Sequence, residues 1–477
     1  MRVIGWIIGV TLAVSVRADV APSSDPLLPI DVLVSSEQHF PSILKAIAER
    51  RVAQGRVVEA LGAFDLVFSS EGFDRFEGFW DGIAITNKAV KPLRSLGAQV
   101  YGEYSISNGE FPIYEDVNFT NTGGTAKLGF LFSLFRDRDI DDRRFGEIDA
   151  SLALQQADLE VLLTKLGVQQ RALAAYWEWV ATGQQLAVYE SLLEIALERE
   201  SGLETEVESG RRAAIFLTEN KQNITRRQTL ATAARRDFLM AVNKLAFYYR
   251  DHEGNTLEPS RQRLPAEAQL DAFPEAPGMG SFDVPTMLQN RPEVQILQTG
   301  AERALQKIAI SENELKPRLD FGVEVAEGFG AIGEGGVSRD GTDAIVGFTF
   351  EIPLERRQAK GKVTQARAEL EALRREQQQV EDQVEIQLRN ILLELLNAKK
   401  LMDLAGRDVE LSETMRRAEV RRFEQGASDF FLVNIREETA ADARVRYYEA
   451  YQRTRVAQAN LDAAVMNLSS LGITEEG

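Results

Sequence analysis

The chain has 477 residues, with 55 lysines and arginines against 73 aspartates and glutamates, a net charge of −18 and no cysteine. That acidity disfavours nucleic acid as a partner, because phosphate binding needs a basic footprint; it fits either a well-solvated surface or an acidic, water-filled lumen. Without cysteine there are no disulfides, thiol nucleophiles, thiolate metal sites or lipid-bearing thiol, and His39 and His252, the two histidines, stand in no metal-ligand spacing.

Residues 1–18 carry Arg2, an apolar run and then Val16-Arg17-Ala18, the pattern of a secretory signal peptide. The apolar run is too short to span a bilayer, and no later segment is long and apolar enough for a membrane helix. A tail over 19–37 leads to a first repeat at 38–250. There Pro41 opens a helical pattern, and four strands are predicted at Phe64–Ser69, Gly82–Thr86, Ala98–Ser105 and Thr125–Leu134. The last two alternate, with Val100, Gly102, Tyr104 and Ile106 on one face, then Leu128, Phe130, Phe132 and Leu134. Whether the first two strands join the others or form an accessory hairpin is open. A long helix over about 139–209 follows, broken at Gly210, with a return over about 213–249.

The segment 251–285 holds Pro259, Pro265, Pro274 and Pro277 and is predicted to be irregular. The second repeat covers 286–472. Its first helix, 286–315, has Pro292 near its start and is stopped by Pro317. Asp320–Val325 then alternates, followed by a glycine-rich loop over 328–341 and a strand at Ile345–Ile352. From Arg356 to Gln425 there is no proline, and Val380, Val384, Leu388, Ile391, Leu395, Ala398, Met402 and Ala405 recur in steps of three and four. That is a coiled-coil seam. About 70 residues at about 1.5 Å each make a rod on the order of 100 Å. Gly426 ends it, a second helix returns over about 429–471, and a tail closes the chain at 473–477.

The two repeats echo one another in order. Ala48–Arg50 and Ala301–Arg303 both read Ala-Glu-Arg, and Glu71–Phe73 and Glu327–Phe329 both read Glu-Gly-Phe. Gly129-Phe-Leu-Phe pairs with Gly347-Phe-Thr-Phe, and Gly210 with Gly426. One unit used twice directs attention to what the two build together. Long helices need lateral partners along their length, and four to six strands are too few to close a barrel. Open edges are not tolerated in lipid, so several copies sharing strands are expected; three would supply at least about twelve.

Arg291-Pro-Glu-Val and Lys316-Pro-Arg-Leu resemble the repeat opening of the TolC-like outer-membrane efflux proteins (outer membrane factors). So do Gly347-Phe-Thr-Phe-Glu-Ile-Pro-Leu running to Gly361, and Arg422-Phe-Glu-Gln-Gly-Ala-Ser-Asp before a Tyr/Ala-rich helix. The resemblance covers about 38–472. It implies a mainly α fold with β: duplicated antiparallel helical hairpins forming a trimeric periplasmic α-barrel, and short strands forming a shared β-barrel in outer-membrane lipid. It also implies a homotrimer docked on a periplasmic adaptor (a membrane fusion protein) and, through it, on an inner-membrane transporter. The function expected is the exit channel of a tripartite efflux or type I secretion system; the alternative is a periplasmic coiled-coil adaptor or a structural scaffold. No catalytic group, cofactor or metal is expected.

The same resemblance makes the helix breaks the adaptor-contacting, pore-closing end, with Gly210, Leu217, Gly426, Ser428 and Val433 as contact candidates. Some members of the family close this end with aspartates two turns past the glycine, which this sequence lacks. Glu219, Asp429, Phe430 and Phe431 are therefore the candidates for a constriction, although phenylalanines at helical spacing are commonly core. The pairs Arg211-Arg212, Arg226-Arg227 and Arg235-Arg236 read as solvated or interhelical. Phe79, Trp80, Tyr101, Tyr104 and Tyr114 are candidates for an interfacial belt or for loop packing.

Overall fold

The computed structural model describes residues 25–112, 118–267, 283–332 and 341–474. The expected signal peptide, residues 19–24 of the tail, Tyr114, Pro274, Pro277, the loop segment 333–340 and residues 475–477 lie outside the described residues. The described chain is mostly helical with one six-stranded antiparallel sheet. It forms two compact units that cut across the sequence repeats. Among the described residues, one comprises 25–36, 171–267 and 397–456, the other 37–112, 118–170, 283–332, 341–396 and 457–474.

The duplication is visible in the geometry. The helices α2 (Pro41–Gly62) and α6 (Pro292–Asn313) each have 22 residues and a proline in the first turn. That is where a missing N–H and a fixed φ cost nothing. Their N-cap residues, Phe40 and Arg291, have φ, ψ of −74°, 126° and −74°, 127°. Two short helices have no counterpart in the expected pattern: α1 (Pro29–His39), which begins in the expected tail and runs into the start of the first repeat, and α5 (Val284–Gln289), which makes α6 begin later than expected.

All six strands lie in one compact unit, in the order β1 (Val67–Arg75), β2 (Gly82–Pro92), β3 (Gln99–Gly109), β4 (Thr125–Ser133), β5 (Arg318–Gly328), β6 (Thr342–Glu351). The first two strands thus belong to the same sheet as the rest. Several predicted boundaries move: β1 runs on to Arg75, β3 to Gly109, and β6 starts at Thr342. Phe64 and Asp65 form the turn after α2, where the Asp65 N–H donates to the Gly62 carbonyl, and β1 begins at Val67. β2 continues through Asn87 and Lys88 to Pro92 because it is hydrogen-bonded on both sides, which outweighs the turn preference of those residues. In the same unit Arg303 reaches back to Asp149 of the first long helix (Asp142–Glu208), its Nε and Nη2 donating to the two carboxylate oxygens at 2.8 and 2.9 Å, and its echo Arg50 pairs with Asp158 of that same helix.

The long helices are α3 (Asp142–Glu208, 67 residues), α4 (Ala214–Ala246, 33), α7 (Arg357–Glu424, 68) and α8 (Phe430–Ala464, 35). α8 ends before the expected 471 because Met466 takes a left-handed φ of 59°, and a 3₁₀ turn at Ser469–Leu471 follows. The predicted seam of α7 is the buried one: Leu388, Leu395, Ala398 and Met402 are buried, with Val380, Val384, Ile391 and Ala405 half-buried. The core of the other unit gathers Tyr176 and Trp179. There the Tyr176 hydroxyl donates to the Leu27 carbonyl at 2.8 Å, and the Trp177 and Tyr451 rings meet edge to face at 5.9 Å.

Candidate functional site

The strand registers assign every sheet residue to one of two faces. Phe130, Val323 and Val346 share a row, as do Leu128, Val325 and Ala344. Phe132, Phe321 and Phe348 stack across three strands at 6.1 and 6.2 Å between centroids. On β2 and β3 this apolar face carries Ile83, Ile85, Ile106, Ala89 and Val100. It is uncovered, with Phe348 70% and Val346 69% exposed. Lys91, Asn87 and Tyr104 interrupt it on β2 and β3, Ser70 and Asp74 on β1 and Glu327 on β5, and the Tyr104 hydroxyl is satisfied by the Gly123 carbonyl at 2.9 Å.

The opposite face is polar. Glu103 stands between Lys88 and Lys127 across β2, β3 and β4, at 3.9 and 3.1 Å. Tyr101 reaches over Gly129 to donate to Glu324, and Thr86 and Ser105 hydroxyls meet at 3.1 Å. Gly129 is required here, since a Cβ would fall 2.1 Å from the Tyr101 ring. At one end of this face Trp80, Phe111, Phe119 and Ala84 form a buried cluster, and the Thr120 hydroxyl accepts from the Ser107 N–H at 2.9 Å. Trp80 and Tyr101 are therefore not part of an aromatic belt: the first packs under a loop and the second faces the polar side. Phe79 is fully exposed.

The second region is the pair of helix reversals, both in the other unit. Gly210 and Gly426 have φ of 68° and 71°. In each, the glycine N–H donates to a carbonyl three residues back, at 3.0 and 2.9 Å. The next N–H, of Arg211 or Ala427, reaches five residues back at 2.9 and 2.8 Å. This is a Schellman closure, which satisfies carbonyls the helix end would leave bare. Asp429 then caps α8, its carboxylate accepting from the Leu432 N–H at 2.8 Å. The Ser428 hydroxyl donates to the buried Glu419.

Of the other predicted residues, Leu217 and Glu219 are half-buried and Phe431 is 58% exposed. Phe430 and Val433 are corrections. At 1% and 2% exposed, they point into the packing of their own chain, and added copies can only cover them further. Neither side chain is free to line a pore or meet an adaptor. Phe430 lies 6.2 Å from Phe423 on one side and 5.2 Å from the Arg199 guanidinium on the other. Phe423 also receives the Arg212 guanidinium at 5.5 Å, and Arg212 covers Phe216 at 5.4 Å. Two guanidinium groups and three rings thus form one continuous column from one reversal to the other.

Behind this column sits a buried ionic group. Arg227 is 0% exposed and donates to the Leu192 carbonyl at 2.8 Å and to Glu437 at 2.9 Å. Arg199 donates to Glu437 at 2.6 Å and to the Asn434 side-chain oxygen at 3.1 Å. Next to it, Glu437, Glu413, Arg416, Arg444, Tyr448 and Glu267 line a cavity of about 260 Å³. The Arg416 guanidinium holds the Glu413 carboxyl below its usual range, and burial, then Glu267, pushes the Tyr448 hydroxyl up. Glu437 is paired with Arg199 and Arg227, and Glu413 with Arg416, and no acid or histidine cluster suited to a metal occurs among the described residues.

No family model and no curated protein sequence matches this chain. Solved structures match in fold. The outer membrane protein VceC of Vibrio cholerae superposes with a TM-score of 0.63 at 16% identity, over 92% of this chain and 95% of VceC. The Campylobacter jejuni CmeC outer membrane channel gives 0.62 at 11%, over 94% and 89%. The open state of the Neisseria gonorrhoeae MtrE outer membrane channel gives 0.63 at 14%, over 92% and 88%. At these identities the likeness is one of fold. The chain has the fold of these outer-membrane channels, as the resemblance to the TolC-like proteins implied.

Proposed function

We propose that this chain is one subunit of a homotrimeric channel in the outer membrane of a Gram-negative bacterium. The observation that carries the reading is the sheet of the described residues, largely apolar on one face from β2 to β6, polar on the other, and unpaired at both edges among the described residues. Lipid suits the first face, water the second, and neither tolerates open edges in a bilayer. No helix of the described residues is long and apolar enough to cross a membrane, so the sheet is the spanning element of this reading. The helices want neighbours too: Ile386, Leu393, Leu404 and Leu411 repeat along the exposed side of α7 at intervals of seven and eleven.

In this reading the long helices extend into the periplasm and the channel gives passive exit to substrates. An inner-membrane transporter delivers them through a periplasmic adaptor, in a tripartite efflux or type I secretion system. The reversals at Gly210 and Gly426, with Leu217 and Ser428, meet the adaptor, and Phe431, Asp429 and Glu219 remain the residues to test for a constriction. Fractionation tests the proposal. The protein should be recovered from detergent-extracted outer membrane as a heat-sensitive trimer that conducts in planar bilayers. A soluble monomer would instead favour a coiled-coil adaptor or scaffold.

A further inference from the structure

The sheet carries a count that the proposed channel must respect. β3 is not an edge: it is paired to β2 along its whole length, from Gln99 opposite Pro92 to Gly109 opposite Gly82. β2 in turn is paired to β1 from Val90 opposite Val67 to Gly82 opposite Arg75. The unpaired backbone edges of the described sheet therefore belong to β1 and β6, of 9 and 10 residues. Both are close to what a tilted strand needs to cross a bilayer, about 9–11 residues. The hairpin formed by β2 and β3 continues the polar face, since Lys88, Glu103 and Lys127 form one ion-paired row from β2 to β4. Its isoleucines continue the apolar face, to which β1 adds Phe68 at its helix-proximal end, then Ser70 and Gly72, with Asp74 at the far end. A level lipid band steps along tilted strands, so its residues shift from one strand to the next.

We infer that the partner of β6 is β1 of a second copy of this chain, and that each copy places all six strands in the barrel. The direction is right: six antiparallel strands in sequence order leave β6 opposed to β1, so a neighbour's β1 adds to β6 antiparallel. Resting on the trimer proposed above, this makes a barrel of eighteen strands. With strands about 4.8 Å apart and tilted about 40°, its backbone diameter is about 36 Å, against about 24 Å for twelve strands.

The chain lacks cysteine, so introduced pairs report without background. Ser69 of β1 and Thr349 of β6 lie on the polar face near the helix-proximal ends of their strands, with Gly347 one pleat further on. Mild oxidation of outer membranes carrying S69C/T349C, or S69C/G347C if the register is one pleat over, is expected to give covalent dimers and trimers. The four-strand arrangement would place β3 against β6, and is probed by Y101C/T349C. Cross-linking there, or a strand ring near 24 Å in axial electron-microscopy projections, would overturn the eighteen-strand barrel while leaving the trimeric channel standing. A membrane trimer in which no β1–β6 pair cross-links would overturn the pairing. A soluble monomer in all variants would remove both readings.

Discussion

Arg227 and Glu437 meet at 2.9 Å with their side chains 0% and 2% exposed, a charge pair shut away from water between α4 and α8. Arg199 joins Glu437 from α3, so one carboxylate ties the first helical hairpin to the second. Breaking such a pair leaves a buried charge without compensation, which costs about 3–5 kcal/mol. E437A should lose that much, read as the shift in urea midpoint followed by helical circular dichroism. Replacing both partners, as in R227M/E437M, should recover most of the loss. A single variant that unfolds like the parent would show that Arg227 reaches water after all.

Gly210 and Gly426 supply a second test, because the space around both is open: no atom lies within 4 Å of where a Cβ would stand. Alanine meets no steric obstacle there, only the left-handed backbone, at a cost of about 1–2 kcal/mol each. G210A and G426A should lower the unfolding midpoint by similar amounts, and asparagine should be milder. Equal stability of the alanine and glycine forms would mean that the Schellman closures do not persist in solution.

Two acids of the helices respond to pH in opposite senses. Hydrogen bonds from Arg261 and then Arg235 hold the Glu190 carboxyl below its ordinary range, whereas burial holds Asp462 above it. A depressed carboxylate stabilises the fold above its unfolded pKa, and the contribution is lost as pH falls through the folded value. For Asp462 the sign reverses: the folded state prefers the proton, so ionisation at neutral pH works against folding. E190Q should lose stability at about pH 7 and lose less than the parent on acidification to about pH 4. D462N should gain at about pH 7 and show no gain at about pH 4. Thermal melts at the two values decide between these signs and a pH-independent effect.

Much of this arrangement is legible in the residues themselves. The α7 seam, the alternation in β4 to β6 and the two glycine reversals follow from periodicity and backbone preference, which act locally. The strand predicted at Gly82–Thr86 runs on to Pro92, and what carries it through Asn87 is hydrogen bonding on both sides, which no local pattern encodes. Arg227 was hidden among three arginine pairs, yet it falls on the stripe Ile224, Ala231, Ala234, Phe238. Its place on an apolar stripe was the available signal, while Arg226, off the stripe, is an exposed partner of Glu438. Phe430 and Phe431 are adjacent and identical in chemistry, so only tertiary packing separates the buried ring from the exposed one.

The two sheet faces can be told apart by chemistry at neighbouring residues. Lys127 and Leu128 are consecutive in β4, so their side chains leave the sheet on opposite sides, Lys127 toward Glu103 and Leu128 toward the row of Val325 and Ala344. In a membrane-spanning barrel, a cysteine at Lys127 stands in water and one at Leu128 in hydrocarbon. K127C in outer membranes should react quickly with a charged, membrane-impermeant maleimide, and L128C should react only with a lipophilic one. Both should react alike once the protein is denatured, which controls for intrinsic thiol reactivity. A soluble protein whose apolar face is covered by another protein would protect L128C from both reagents. Rapid labelling of L128C by the charged maleimide would mean that the face carrying Phe130, Val323 and Phe348 meets water, and the sheet would lose its claim to span a bilayer.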